Sequence, residues 1–170
     1  YEAVFRDSQS RVRSIALVHE KLYQTDDLAH IDFAEYVKNL AEFIRKSYRL
    51  YRGEIEIRFE LESIFVPINM AVPLGLIMNE LLTNSFKYAF PDDAGKDTKS
   101  KYIIIRLSSA CNEKLTLSVS DNGVGLPDDF NPEESKSLGL KLVNTLVRQI
   151  NGSLSINKKD DTTFTIEFNK

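Results

Sequence analysis

The spacing of apolar and polar residues at the start of the chain predicts two helices and a strand. Apolar side chains recur at helical spacing through residues 1–24, with charged residues between them. A second helix is expected after Asp32, because an aspartate can accept a hydrogen bond from a free N–H of the first turn, and Glu35 follows three residues later. The stretch EIEIRFELE then alternates apolar and charged residues, which is typical of a half-buried strand.

The rest of the chain contains two more helical patterns and four more strand patterns. The apolar segment PINMAVPLGLIMNELLTNSFKYAF predicts a buried helix beginning near Val72 and Pro73, since proline is tolerated in a first turn. Beyond a polar loop, KYIIIRLSS and KLTLSVSD predict two strands joined by a turn around Asn112–Lys114. LGLKLVNTLVRQI predicts an amphipathic helix capped by Gly152, and SLSINKKDDTTFTIEF predicts a final hairpin.

This order of elements predicts an α+β fold. We expect a two-layer α/β sandwich, in which helices cover one face of a mixed, mostly antiparallel sheet. The order argues against a Rossmann domain, because no glycine-rich fingerprint follows the first strand. The chain also has no GxxxxGK[ST] phosphate-binding loop.

Composition narrows the classes of protein to which the chain can belong. Its 170 residues suggest one domain with a short appendage, and the start YEAVFRDSQS, without methionine or a signal-like apolar core, suggests a piece of a longer protein. No apolar run approaches a membrane span, so we expect no direct membrane contact from this chain. The net charge of −3 gives no reason to expect nucleic acid. The single Cys111 suits a reducing compartment, and with only His19 and His30 beside it no zinc-type cluster can be written.

Polar residues interrupt the long apolar helix in a regular way. Asn84, Lys87 and Tyr88 follow Glu80 by four, seven and eight residues, so all four are expected on one helical face. Because burying a carboxylate or an amide without a partner is unfavourable, this face predicts a partner, a solvent edge or a cleft. A helix whose outer face simply contacts water is the alternative.

Two glycine-containing segments are further candidates for a site. In DNGVGLP, Asp121 ends a predicted strand and precedes Gly123 and Gly125, a composition that a plain hairpin turn would also explain. In SLGLKLV, Gly139 lies at a predicted helix start, where N–H groups suit an anion and a glycine lets a phosphate approach the backbone. An ordinary helix start is the alternative there.

Together, the Asn-bearing helix, the strand-terminal DxGxG and the GLxLV helix start resemble the N, G1 and G2 boxes of one ATP-binding fold. Sensor histidine kinases, type II topoisomerases, a heat-shock chaperone ATPase and mismatch-repair ATPases share this Bergerat-type fold, and the resemblance covers residues 32–170. SQSRVRSIALVHEKLYQTDDLAHIDFAEYV resembles the second dimerisation helix and domain junction of a histidine kinase subfamily with a short ATP lid. The resemblance implies that residues 1–28 belong to a dimerisation helix and residues 29–170 to a catalytic domain.

At the base end, the resemblance implies a site for ATP. Asp121 would accept a hydrogen bond from the exocyclic amine of adenine, while Gly123 and Gly125 would let the chain bend and free the next segment as a lid. DTTF resembles the family's Gly-Thr-x-Phe strand, in which Thr162 would reach adenine directly or through water. Asp161 replaces the usual glycine, which leaves the geometry of that contact open.

At the phosphate end, the resemblance implies that Asn84 gives its side-chain oxygen to Mg²⁺, which takes few protein oxygens besides phosphate and water. Glu80 would be the catalytic carboxylate that orients the attacking group. Lys87 would meet phosphate charge, and Tyr88 would pack near the nucleotide. Backbone N–H groups would come to the phosphates from Leu138, Gly139 and Leu140.

The implied function is that of the ATP-binding catalytic domain of a two-component sensor histidine kinase. The intact protein would transfer the γ-phosphoryl group of ATP to a histidine upstream of this chain and then to an aspartate of a response-regulator receiver domain. It would form a homodimer through the N-terminal helix. The chain lacks a segment resembling HHRVKNN, which carries the acceptor, and His19 does not match an acceptor position. We expect a cytoplasmic domain, whether the full protein is membrane-anchored or soluble.

Three other functions stay open. An anti-sigma-factor type serine kinase has the same fold but needs no dimerisation hairpin, so the first helix argues against it. A non-enzymatic module that senses ATP or dimerises would also fit a chain without its acceptor. A topoisomerase or chaperone ATPase is disfavoured by the short lid between Gly125 and Gly139.

Overall fold

A computed structural model describes most of the chain beyond the N-terminal segment. The described residues are 30–52, 54–91, 100–110, 114–127, 130 and 137–169, together with Gln9, Val12 and Ala16, which are helical and exposed. The predicted helix over residues 1–24 and the predicted lid over residues 128–137 therefore lie largely outside the described residues.

The first described elements are a short strand and a long helix. Strand β1 is His30–Asp32 and helix α1 is Phe33–Arg52. The Asp32 carboxylate accepts a hydrogen bond from the Glu35 N–H (3.1 Å), so the predicted N-cap of this helix is confirmed. Strand β1 pairs antiparallel with β3, Phe65–Pro67. The sequence analysis missed this pair, because three-residue strands are too short to show an alternating pattern.

The main sheet contains the five other strands. They are β2 (Glu56–Leu61), β4 (Tyr102–Ser109), β5 (Lys114–Asp121), β6 (Ser153–Asn157) and β7 (Thr162–Asn169). Their order across the sheet is β2-β4-β5-β7-β6. Only the β2–β4 pair is parallel, and the predicted β4–β5 and β6–β7 hairpins are antiparallel. The mixed, mostly antiparallel sheet is therefore confirmed.

Helix α2 begins earlier than predicted. It spans Ile68–Asn84, with Pro67 at its N-cap and Pro73 inside the helix. The prediction placed Pro73 in the first turn and was wrong by four residues. In its actual place Pro73 has no N–H for the carbonyl of Asn69, one turn earlier, but Asn69 is exposed and water can replace that bond. After Asn84 the chain continues in a wider π-helical turn, Ser85–Ala89.

Helix α3 spans Leu138–Gln149 and ends in a Schellman motif. The N–H of Asn151 bonds the Arg148 carbonyl oxygen (3.0 Å), and the N–H of Gly152 bonds that of Val147 (2.9 Å). The residue with left-handed geometry is Asn151 (φ 53°), so the prediction that Gly152 caps the helix needs correction. Gly152 is constrained for another reason, since a Cβ there would lie 2.8 Å from the Glu167 carbonyl oxygen.

The core of the described part of the chain lies between helices α1, α2 and α3 and one face of the sheet. Buried apolar residues from α1, α2 and α3 join those from the inner face of β4, β5 and β7 in one cluster. On the other face the strands carry polar side chains and exposed ion pairs, such as Arg106 with Glu60 (2.6 Å). The two-layer α+β prediction is confirmed. None of the helices in the described ranges is both long and apolar enough to cross a membrane.

Candidate functional site

A buried carboxylate ends the central strand of the sheet. Asp121 is only 5% exposed, although it is the last residue of β5. The Ser85 hydroxyl donates to its Oδ2 (2.8 Å), and the Gly123 N–H donates to its Oδ1 (3.2 Å). Burial raises the pKa of Asp121, and these two hydrogen bonds act in the opposite direction. Each carboxylate oxygen has a second lone pair, so Asp121 retains capacity to accept from a further donor on either oxygen.

The neighbours of Asp121 in the sheet are set by register. On one side it pairs with Ile103 of β4, and on the other with Thr162, the first residue of β7. Thr162 is buried as well. The structure thus brings together two residues that the sequence analysis assigned to one site from motifs 40 residues apart.

The two glycines after Asp121 are needed for different reasons. A Cβ on Gly123 would lie 2.3 Å from the Ala89 carbonyl oxygen, which also accepts the Val124 N–H (2.9 Å). Gly125 has space around it but a φ of +81°, which favours glycine. Among the described residues, β5 pairs with β4 and β7, and the next element after this segment is helix α3 and not a strand paired with β5. The simple hairpin turn is therefore excluded.

Asn122, between Asp121 and the first glycine, has a role that the sequence analysis missed. Its Oδ1 accepts the Tyr102 N–H (2.8 Å), and its Nδ2 donates to the Ser100 carbonyl oxygen (2.8 Å). The side chain therefore ties the end of β5 to the start of β4. The sequence suggested only turn chemistry for Asn122, because partners about 20 residues away are invisible to a local pattern.

Glu80 lies against the start of α3. It is 5% exposed, and the Asn79 amide donates to its Oε1 (3.3 Å). A Cβ on Gly139 would lie 2.6 Å from Glu80 Oε2, so a glycine at this position leaves room for the carboxylate. The alternative of a helix face simply exposed to water is therefore wrong for Glu80.

The other predicted polar residues of this helix are more exposed to solvent than Glu80. Asn84 and Lys87 are half-buried, and Tyr88 is 68% exposed. Lys87 and Tyr88 lie in the π-helical turn, so the expectation of one continuous α-helical face needs correction beyond Asn84. The same turn carries Ser85 to the carboxylate of Asp121, which couples the end of α2 to the end of β5.

At the start of α3, Leu138 is 70% exposed and Leu140 is buried. The Leu140 N–H donates a long hydrogen bond to the Ser137 hydroxyl (3.4 Å), as expected at an N-cap. Of the three N–H groups predicted to face phosphate, this one therefore already has a side-chain acceptor.

Asn84 offers an amide oxygen as a possible metal ligand. Within the described ranges, no three His, Cys, Asp or Glu side chains cluster so as to hold a metal ion. A single neutral oxygen fits a cation that arrives with phosphate oxygens and water of its own. The donor set is thus compatible with Mg²⁺ bound together with a nucleotide.

Two family models match this chain. Residues 69–170 match the model described as histidine kinase-, DNA gyrase B- and HSP90-like ATPase, and residues 1–48 match a model described as histidine kinase. The first match covers more than half of the chain. This chain belongs to the histidine kinase-, DNA gyrase B- and HSP90-like ATPase family.

Within this ATPase family, two curated proteins similar to this chain are histidine kinases. Sensor histidine kinase PdtaS of Mycobacterium tuberculosis is 30% identical over 151 residues, which are 88% of this chain and 29% of that protein. Blue-light-activated histidine kinase 2 of Erythrobacter litoralis is 31% identical over 107 residues, which are 63% of this chain and 30% of that protein. The chain thus spans less than a third of the length of either relative.

Solved structures agree with this assignment. The histidine kinase domain of the EL346 blue-light activated histidine kinase from Erythrobacter litoralis has a TM-score of 0.82 at 27% identity, over 96% of this chain and 74% of that one. Acinetobacter baumannii histidine kinase AdeS has a TM-score of 0.65 at 15% identity, over 93% of this chain and 76% of that one, and shares the fold. The chain carries an ATP-binding catalytic domain of the sensor histidine kinase type, as predicted.

Proposed function

We propose that the protein containing this ATPase-family domain transfers the γ-phosphoryl group of ATP to a histidine upstream of this chain. The acceptor nitrogen forms the new bond to phosphorus, the bond to the β-phosphate oxygen breaks, and ADP leaves. The phosphoryl group then passes to an aspartate of a response-regulator receiver domain. Support comes from the histidine kinase model matched by residues 1–48 and from the named relatives.

The observation that carries the proposal is the buried carboxylate of Asp121. In this proposal the Asp121 carboxylate accepts a hydrogen bond from the exocyclic amine of adenine, which it has a free lone pair to receive. Guanine presents a carbonyl oxygen at the same place, and two acceptors facing each other repel, so the site would reject GTP. Thr162, opposite Asp121 in the sheet, would contact the same base. Gly123 and Gly125 shape the turn beside it.

At the phosphate end, we assign Mg²⁺ to the amide oxygen of Asn84. When bound, Mg²⁺ neutralises phosphate charge. Lys87 would meet the phosphates, with Tyr88 packing near the nucleotide. Leu138, Gly139 and Leu140 would supply N–H groups from the start of α3. Glu80, which already lies at this helix start, would orient the attacking group.

We further propose that residues 1–28 contribute to a dimerisation helix and that residues 29–170 form the catalytic domain. The intact protein would then be a homodimer, in which the acceptor histidine of a helix reaches the bound ATP. Because the reaction consumes ATP and serves a response regulator, we place this domain in the cytoplasm.

Calorimetric titration of the 170-residue chain with Mg-ATP and Mg-GTP tests the base assignment. We expect binding of ATP and much weaker binding of GTP. Asp121→Asn should reduce ATP affinity by about 1.5–3 kcal/mol, because it removes a hydrogen bond to a charged acceptor. Glu60→Gln, a matched change on the opposite sheet face, should leave the affinity unchanged. Wild-type affinity and selectivity in Asp121→Asn would refute the assignment.

A further inference from the structure

Behind Asp121, on the polar face of the sheet, three side chains form a connected group. The Tyr102 hydroxyl donates to Asp161 Oδ2 (3.0 Å), and the Arg58 guanidinium carbon lies 4.3 Å from the centre of the Tyr102 ring. We propose that this group, the outer brace of Arg58, Tyr102 and Asp161, positions Thr162 against Asp121 and thereby sets adenine selectivity. The inference rests on the proposed function, since it presupposes adenine at Asp121.

Register places the outer brace directly behind the base site. Asp121 pairs with Ile103 and Thr162, and Tyr102 and Asp161 are the residues just beyond those two partners. Side chains alternate between the faces of a strand, so Tyr102 and Asp161 lie on the face opposite to Asp121 and Thr162. The Tyr102 side chain thus spans the end of β5, where Asn122 donates its N–H to the Tyr102 carbonyl oxygen (3.3 Å).

Thr162 needs such support because it is the terminal residue of its strand. The turn before it contains Asp160 in left-handed geometry (φ 58°), which residues other than glycine seldom adopt. Strand ends next to such turns open more readily than strand centres. The hydrogen bond to Tyr102 ties this turn to β4, a strand with partners on both sides.

The outer brace also controls where the charge of Asp161 lies. Burial is the main cause that raises the pKa of Asp121, and the charge of Asp161 adds to this rise although the two carboxylates lie on different faces. The hydrogen bond to Asp161 raises the pKa of Tyr102, which keeps the phenol protonated as the donor. Tyr102 therefore holds the Asp161 carboxylate on the polar face, and Asp121 remains as the acceptor for adenine.

Two variants test the outer brace without altering the base site itself. Tyr102→Phe removes the donor and keeps the ring, and Asp161→Asn removes the charge and keeps the size. Tyr102→Phe should lower ATP affinity roughly three- to tenfold, as the loss of one positioning hydrogen bond would. Asp161→Asn keeps an oxygen that accepts from Tyr102 but removes its charge, so it should lower ATP affinity by a smaller factor, and GTP affinity should be unchanged in both variants. The ratio of ATP affinity to GTP affinity should fall by the same factor as the ATP affinity. The matched control is Glu60→Gln, which breaks the Glu60–Arg106 ion pair on the same face and should leave the ratio unchanged.

A pH profile separates this positioning role from a merely structural one. Since Asp161 helps to raise the pKa of Asp121, Asp161→Asn should shift the acid decline of ATP affinity to lower pH, and Glu60→Gln should not. Loss of selectivity in Asp121→Asn together with wild-type ratios in Tyr102→Phe and Asp161→Asn would overturn the outer brace alone. Wild-type selectivity in Asp121→Asn would overturn the proposed function as well.

Discussion

At the scale of single residues, the site depends on a carboxylate held where the sheet is otherwise apolar. Inner-face neighbours of Asp121 along β5 and β4, such as Val119 and Ile103, are fully buried hydrocarbon. Burial of the charge is unfavourable, and the Ser85 hydroxyl and Gly123 N–H offset only part of it, because the pKa of Asp121 remains raised. Asp121 thus destabilises the free protein and is poised to accept another donor.

The raised pKa determines how Asp121 affects stability with pH. A carboxyl whose pKa is higher in the folded than in the unfolded state binds its proton more readily when folded. The free energy of unfolding of the wild type, relative to Asp121→Asn, should therefore rise as pH falls from neutral through the folded pKa towards the ordinary value of 3.8. Urea unfolding of both proteins between neutral pH and that value measures the difference.

Ser85→Ala is the companion variant for this prediction. Without the Ser85 hydroxyl the folded pKa of Asp121 should rise further, so the gain in stability on acidification should be larger. A wild type that loses stability relative to Asp121→Asn as pH falls would show that the fold lowers this pKa instead.

The two glycines after Asp121 allow a second test at the residue scale. Gly123→Ala places a methyl group against the Ala89 carbonyl oxygen at 2.3 Å, and backbone cannot move aside easily. We expect a loss of about 1–3 kcal/mol in the free energy of unfolding, as for other overpacked sites, and weaker ATP binding as the Gly123 N–H shifts from Asp121.

Gly125→Ala is the matched control for Gly123→Ala. No heavy atom lies within 4 Å of its added Cβ, so only the strain of a positive φ should remain. That strain amounts to roughly 1–2 kcal/mol and leaves the Ala89 contact intact. If ATP affinity falls equally in both variants, the close approach to Ala89 has no special role.

At the scale of elements, the end of helix α2 joins the two halves of the site. The π-helical turn Ser85–Ala89 continues the helix, supplies the Ser85 hydroxyl to Asp121 and receives the Val124 N–H at Ala89. Such wide turns are rare in helices overall, but those that occur are often found at functional sites. One turn earlier, Glu80 faces the start of α3. The same helix and its π-helical turn therefore carry Ser85, which contacts the carboxylate proposed for adenine, together with Asn84 proposed for the metal and Glu80 proposed for the attacking group.

Asn84, the last residue of α2, allows the metal assignment to be tested. In Mg²⁺, Asn84→Ala should weaken ATP binding roughly tenfold or more, because one oxygen ligand is lost. In EDTA the variant and the wild type should bind alike. Asn69→Ala, which removes an exposed amide at the other end of α2, should have no effect in either condition. Equal losses in both conditions would indicate that Asn84 acts on the fold and not through a metal.

At the scale of the whole molecule, the two faces of the sheet differ in chemistry and in what they contact. The inner face packs against helices α1, α2 and α3 and forms the core, and at one end it carries the polar pair Asp121 and Thr162. The polar face carries the outer brace and exposed ion pairs. The packed core therefore supports the proposed adenine site, while Glu80 lies where α2 meets the start of α3.

The proposed phosphotransfer needs an acceptor histidine, which the proposed function places upstream of these 170 residues. Phosphoryl transfer depends on an acceptor aligned with the γ-phosphate, and no segment of this chain resembles the acceptor segment of the family. The chain should therefore bind ATP without phosphorylating itself on histidine. Radiolabelled ATP, with a search for acid-labile and base-stable phosphate, measures this.

Two further proteins control the labelling experiment. His19→Gln should behave like the wild type, and a longer protein that restores the native residues upstream should become labelled. Strong labelling of the 170-residue chain that disappears in His19→Gln would make His19 the acceptor and contradict the assignment.

The sequence by itself determined the features that depend on neighbouring residues. Apolar patterns identified the strands of the main sheet, helical spacing and Asp32 identified the start of α1, and the glycine and asparagine motifs identified the ATP-binding family. These signals are local, because helix and strand periodicities and turn preferences act over a few residues.

Only the tertiary structure decided which distant groups meet. Ser85 bonds Asp121 36 residues away, and Tyr102 bonds Asp161 59 residues away. The start of α2 also depended on its surroundings, since both proline positions were locally acceptable and the β1–β3 pair precedes the helix. Such contacts depend on strand register and on packing between elements, which bring together residues whose separation along the chain carries no periodic signal.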